Sequence, residues 1–175
     1  MPKIIFILGG TRSGKSRYAV ELAKGLSEKV VFIATAAAAD AEMKQRIKLH
    51  QKSRPKHWRL IEEHKNLIPL LARLNGKHEV VLIDCLGLLI ANLMVHQIED
   101  KPIEREVTKL IAAVAQGKRT AILVSNDVGS GLVSTNPLAR RFCDLLGRVN
   151  QMVAKAADQV ILMQAGIPVK IKNHG

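Results

Sequence analysis

Apolar positions in this chain fall into short β-branched runs separated by amphipathic stretches. Five runs, IIFILGG, VVFIATA, EVVLIDCL, TAILVSN and QVILMQAG, have no polar alternation, so they predict strands buried on both faces, as in a parallel sheet covered by helices. Between them, Lys15–Leu26, Asp40–Gln51, Glu104–Gln116 and Pro137–Ala156 repeat their apolar positions at helical spacing. The last opens with Pro137 after Asn136, a residue pair suited to a helix start. Strand and helix alternate throughout, which predicts an α/β fold: a three-layer P-loop NTPase of the RecA-like kind with a mostly parallel sheet. No repeat, low-complexity tract or linker interrupts the pattern, and residues 1–175 read as one domain.

GGTRSGKS follows the first run and opens the first helix, matching G-x-x-x-x-G-K-[ST] in the strand–loop–helix context that the motif requires. Gly9, Gly10, Thr11, Arg12, Ser13 and Gly14 would curl backbone N–H groups around a phosphate at the helix N-terminus. Lys15 reaches the β and γ oxygens, and Ser16 offers a hydroxyl to Mg²⁺. Asp84, ending the EVVLID run, is the matching strand-end carboxylate for the metal, so Ser16 and Asp84 form the expected metal pair. Together they predict binding of a nucleoside triphosphate, GTP or ATP, and leave the phosphate acceptor open.

Charge adds a second question. The formal charge is +12, from 27 Lys plus Arg against 15 Asp plus Glu, and QRIKLHQKSRPKHW concentrates Arg46, Lys48, Lys52, Arg54 and Lys56 around His50 and His57. Such a balance fits a polyanionic partner. A RecA-like ATPase on nucleic acid is one reading, but the chain has five aromatic residues for base stacking and no nucleic-acid motif. A small-molecule P-loop kinase is another. On a helix, Met43, Ile47 and His50 share a face, which suits either a packed histidine or a nucleophile among phosphate-binding cations. Neither a signal peptide nor a membrane span is legible. Cys85 and Cys143 lie in apolar or helical runs and predict no disulfide, hence a reducing, cytoplasmic setting.

In order, GGTRSGKS, FIAT, DAEMKQRIKLH, RPKHWRLIE, LIDCL followed by the NL of Asn92-Leu93, VSNDVGSGLV, LARRFCDLLGRVNQMVA and AGIPVKIK resemble the bifunctional adenosylcobinamide kinase and adenosylcobinamide-phosphate guanylyltransferase family of cobalamin biosynthesis. The resemblance implies phosphorylation of adenosylcobinamide by a nucleoside triphosphate, then transfer of GMP from GTP to adenosylcobinamide phosphate with release of pyrophosphate. It implies a GMP-carrying histidine at His50, the histidine of the R-I-x-x-H pattern. GTP contacts are implied at Gly9–Ser16, around Thr35 and Ala36, along Gln51, Lys52, Ser53 and Arg54, and at Glu62 and Asp84. It further implies a homo-oligomer, a trimer. His57 has no motif position. Departures from the family pattern are Asp127, where relatives have Glu, Ser134, where they have Pro, and an alanine run after Thr35.

Overall fold

The computed structural model describes residues 3–37, 55–74, 78–95 and 99–173. Seven strands form one sheet in the order β3-β2-β4-β5-β1-β6-β7. They are β1 (Ile4–Gly9), β2 (Val30–Ala34), β3 (Arg59–Glu62), β4 (Val80–Asp84), β5 (Thr120–Asn126), β6 (Gln159–Gln164) and β7 (Ile167–Asn173). All pairings are parallel except β6 with β7. The described helices are α1 (Lys15–Leu26), α2 (Leu67–Arg73), α3 (Leu86–Val95), α4 (Asp100–Gln116) and α5 (Pro137–Ala156).

Successive strand residues feed opposite cores, which is why the runs lack polar alternation. Ile4 and Phe6 pack with α2 to α5, including Leu71, Ile90, Val107 and Leu146. Ile5 and Ile7 pack with Ala19, Val20 and Ala23 of α1 and with Trp58. The three predicted layers are present, with helices on both faces of the sheet.

Helices α1 and α5 begin and end where the periodicity placed them. Asn136 caps α5, its Oδ1 accepting from Leu138 N at 2.8 Å and Ala139 N at 3.3 Å. The predicted helix Asp40–Gln51 lies outside the described residues. Helix α4 starts at Asp100 and not Glu104, with Pro102 in its first turn, where its missing N–H leaves no bond unmade. The third run ends as a strand at Asp84, and LGLLIANLMV continues as α3. That helix is buried on most sides and so carries no amphipathic signature. β6 and β7 form a hairpin about Ala165 and Gly166, at φ 51° and 84°, the two positive-φ positions of a type I′ turn.

Candidate nucleotide-binding and transfer site

Strand register brings the chemistry to one edge. Ala34 is opposite both Glu62 and Asp84, Asp84 is opposite Val124, and Gly9 is opposite Asn126 and Met163. The C-terminal ends of the parallel strands are thereby level, and open α/β sheets take ligands outside such ends.

The phosphate loop is braced from two sides. Gly9 has no room for a side chain: a Cβ would fall against Ser13 Oγ and within 2.9 Å of the Met163 carbonyl. Gly14 ends the loop at φ 90°, a conformation that costs glycine little. Within the loop Ser13 N donates to Gly10 O at 3.2 Å, and from the hairpin tip Gly166 N donates to Ser13 O at 3.1 Å. The AGIPVKIK stretch therefore acts partly by holding the loop's shape. Lys15 Nζ donates to Gly10 O at 3.0 Å, folded over the loop that would receive a phosphate. Burial lowers the lysine's pKa, opposed by the neighbouring Cys85 and Asp84. Burial also pushes the Cys85 thiol up to about 12. At neutral pH that thiol is uncharged, so Asp84 supplies the counter-charge to Lys15.

Thr35 is fully buried, and its side chain stitches β2 to β4. Its Oγ1 donates to Cys85 O at 2.7 Å and accepts from Cys85 N at 2.8 Å. Its own N donates to Asp84 O at 3.1 Å. The hydroxyl is thus spent inside the fold, holding the strand end that carries Asp84, while Ala36 beside it is half-buried. Thr35→Val should leave the Cys85 N–H buried without an acceptor and cost about 2–3 kcal/mol. Thermal unfolding should show a loss of roughly 5–10 °C, most of which Thr35→Ser restores.

Three side chains that sequence reasoning did not single out complete this edge. Asn92 Nδ2 donates to Thr35 O at 2.8 Å and His64 O at 3.2 Å, and His64 Nδ1 lies 3.3 Å from the Thr35 carbonyl. Asn150 accepts from Ser125 Oγ at 2.7 Å and donates through Nδ2 to Asn126 O at 3.0 Å. It thereby fixes the end of β5, the strand interposed between the phosphate loop and Asp84. Asn150 belongs to the GRVNQ block, where motif resemblance was the only signal. Asp127 accepts from Gly129 N at 3.3 Å and Ser130 Oγ at 2.9 Å, so its shorter carboxylate caps a turn. Glu62 is exposed at the end of β3, four strands from β1, or roughly 19 Å along the edge at about 4.8 Å per strand. His50, Gln51, Lys52, Ser53 and Arg54 lie outside the described residues.

A phosphate loop, a strand-end carboxylate and one interposed strand form a candidate site for a nucleoside triphosphate. Residues 5–171 match the model of the cobinamide kinase / cobinamide phosphate guanyltransferase family. The chain belongs to that family. Cobinamide phosphorylation and guanylyl transfer to cobinamide phosphate, with nucleoside triphosphates as substrates, are accordingly its two activities. It is 40% identical to the bifunctional adenosylcobalamin biosynthesis protein CobU of Escherichia coli, over 97% of this chain and 99% of that one. Identity to CobU of Salmonella typhimurium is 39%, with the same coverage. It is 38% with the bifunctional adenosylcobalamin biosynthesis protein CobP of Pseudomonas aeruginosa, over 96% of each chain. In architecture the chain resembles a KaiC-like protein from Pyrococcus horikoshii, with a TM-score of 0.55 at 15% identity, over 91% of this chain and 70% of that one. That likeness confirms the RecA-like fold. Among the described residues no helix is long and apolar enough to cross a membrane.

Proposed function

We propose that both reactions of this family member use the one phosphate loop, and that His50 carries GMP between GTP and the corrinoid phosphate. One observation supports the shared loop: among the described residues a single element, Gly9–Ser16, is built for polyphosphate, with Asp84 beside its lysine.

In the kinase step a hydroxyl oxygen of adenosylcobinamide attacks the γ-phosphorus of ATP or GTP. The bond to the β–γ bridging oxygen breaks, the nucleoside diphosphate leaves with that electron pair, and the hydroxyl proton passes to solvent. Lys15 and the loop N–H groups neutralise charge gathering on the phosphoryl oxygens. A hydroxyl at Ser16 and a carboxylate at Asp84, with phosphate oxygens and water filling the rest, are a donor set suited to Mg²⁺. Held by Ser16 and Asp84, the ion would supply positive charge against the phosphate oxygens.

In the transferase step a neutral imidazole nitrogen of His50 attacks the α-phosphorus of GTP. The bond to the α–β bridging oxygen breaks and pyrophosphate leaves toward Lys15. A phosphate oxygen of adenosylcobinamide phosphate then attacks the same phosphorus, the P–N bond breaks, and the imidazole is restored. Lys48, Lys52 and Arg54, close to His50 in sequence, would disfavour a positive charge on its ring. Gln51, Lys52, Ser53 and Arg54 follow it in sequence and would hold phosphate oxygens, Arg54 as a two-pronged donor. Glu62, far along the edge from the loop, would face guanine N–H donors at the base end of an extended GTP, with the Thr35–Ala36 strand end between. The surplus positive charge serves these phosphates and not a nucleic acid. The assembly is a homotrimer of one-domain chains in the cytoplasm, where Cys85 and Cys143 remain thiols.

The test supplies γ-labelled ATP or GTP with adenosylcobinamide, then α-labelled GTP. Label should enter first the corrinoid phosphate and then the GDP-linked corrinoid. With α-labelled GTP alone, protein-bound label should be acid-labile and alkali-stable, as a phosphoramidate is. Full turnover without such an adduct in a rapid-quench experiment would sink the histidine route.

A further inference from the structure

β5 ends between the two strands that carry the phosphate-binding chemistry. The order β4-β5-β1 sets Asp84, at the end of β4, and the loop that follows β1 two strand spacings apart, roughly 10 Å. A polyphosphate held by the loop and reaching toward Asp84 must cross the end of β5. That end is Asn126, opposite Gly9 at the base of the loop. Val124, two residues earlier, is opposite Asp84, so Asn126 stands about 6–7 Å farther toward the ligand side than the backbone of Asp84.

Strand alternation also sets its side chain on the useful face. Ile122 and Val124 pack with Ala19, Val20 and Ala23 of α1, as does Leu82 of β4. Asn126 and Asp84 follow on that same face, where α1 starts at Lys15 and where Lys15 has Asp84 as a charged neighbour. Ser125 turns the other way, to Asn150 of α5. Room is kept for the carboxamide: a Cβ on Gly87, in the first turn of α3, would stand 3.2 Å from Asn126 Nδ2. The carbonyl of Asn126 accepts from Asn150 Nδ2 at 3.0 Å, but among the described residues no hydrogen bond engages its half-buried side chain. A carboxamide packed on one side and unpaired on the other is placed for a ligand.

The geometry points to Asn126 as a catalytic residue of the phosphorylation step, its carboxamide N–H donating to an oxygen of the γ-phosphoryl group as that group passes to the acceptor hydroxyl. The inference rests on the proposal that Gly9–Ser16 holds the triphosphate. The amide neither gains nor loses a proton. It keeps the transferred group in line while the bond to the β–γ bridging oxygen breaks and the bond to the acceptor oxygen forms. A neutral donor suits this place, because a second carboxylate beside Asp84 would repel the phosphoryl oxygens. In guanylyl transfer the γ-phosphate only departs within pyrophosphate, so the same contact matters less there.

The experiment compares wild type with Asn126→Leu, which keeps the branched shape and removes the donor, and Asn126→Asp, which keeps the size and puts an anion in the donor's place. Binding of GDP and of β,γ-imido-GTP is measured by isothermal titration calorimetry, and both half-reactions are followed at saturating nucleotide. Both variants should bind GDP within about twofold of wild type but the imido triphosphate at least about fivefold more weakly. Phosphorylation should fall at least about a hundredfold, the scale of losing one preorganised donor, and guanylyl transfer by less than about tenfold. Equal weakening of GDP and triphosphate would mark a structural role and overturn the assignment, as would phosphorylation near the wild-type rate or an equal loss of both reactions. If Lys15→Ala loses triphosphate binding while the Asn126 variants behave as wild type, the Asn126 assignment alone fails. If Lys15→Ala binds the imido triphosphate like wild type, the phosphate-loop proposal fails and takes the role of Asn126 with it.

Discussion

Lys15→Ala should depress phosphorylation of adenosylcobinamide and guanylyl transfer together, each by at least about a hundredfold, the scale of losing one preorganised charge donor at a developing oxyanion. In the first reaction the polyphosphate gives up its γ-phosphoryl group; in the second its β and γ phosphates leave as pyrophosphate. Negative charge gathers on the β-phosphate side in both, and Lys15 stands over the loop that would hold it, 3.0 Å from Gly10 O. Lys15→Arg keeps the charge but not the compact ammonium that fits beneath a phosphate beside buried Cys85 and Asp84. It should recover only a small part of either rate. Steady-state kinetics for the two half-reactions, run on one preparation, check this. If guanylyl transfer persists near wild-type rate while phosphorylation collapses, the triphosphate of the second reaction binds elsewhere.

How much of this was legible in the sequence depended on whether a segment's role is local. The phosphate loop was readable because a tight turn, a helix start and an ammonium must all occur within eight residues. The parallel strands were readable because burial on both faces removes every polar position from β1, β2, β4 and β5 except at their ends. Helix α5 was readable from its cap, its proline and a clean apolar stripe. Helix α3 was not, because LGLLIANLMV is buried on nearly all sides and periodicity has nothing to contrast. β3 and β7 are four and seven residues long, lie at the sheet's edges and are largely exposed, so they lack the apolar run that marks an inner strand.

The site divides in the same way. Asp84 stands out in the sequence because strand-end acids after a phosphate loop have a known use, and the structure sets it beside Lys15. Thr35, expected near the nucleotide, spends its hydroxyl on Cys85, just past the end of β4. No spacing rule in sequence reveals a partner fifty residues away. Asn92, His64 and Asn150 escaped for that reason too: each acts on a backbone carbonyl brought near only by the sheet. Their shared effect is to fix the ends of β2 and β5 on either side of Asp84, so the edge is set before any nucleotide arrives.

His50→Ala should abolish the protein-bound GMP and reduce guanylyl transfer by at least about 10⁴-fold while leaving kinase turnover measurable. The two reactions differ in what they ask of a side chain. Moving a γ-phosphoryl group to a hydroxyl needs positioning and neutralised charge, both supplied by the loop, Lys15 and Asp84. Carrying GMP on the protein needs a lone pair that attacks the α-phosphorus and later departs, and alanine has none. Magnitude separates this role from a packing role. Trimming a packed histidine costs about 1–3 kcal/mol of stability, which would lower both activities alike through loss of folded protein. Losing a covalent nucleophile can cost about 10⁶ in rate, and here it would fall on one reaction alone. His57 provides the internal comparison: its Nε2 lies 2.8 Å from Glu28 Oε2 on an exposed surface, beside the start of β3 and so at the sheet edge opposite the phosphate loop. His57→Ala should keep adduct and both activities within about twofold, the range of surface substitutions. Peptide mapping of the labelled wild type decides between them. Label on His57, or label retained by His50→Ala, would remove His50 from the chemistry while leaving the phosphate loop's part intact.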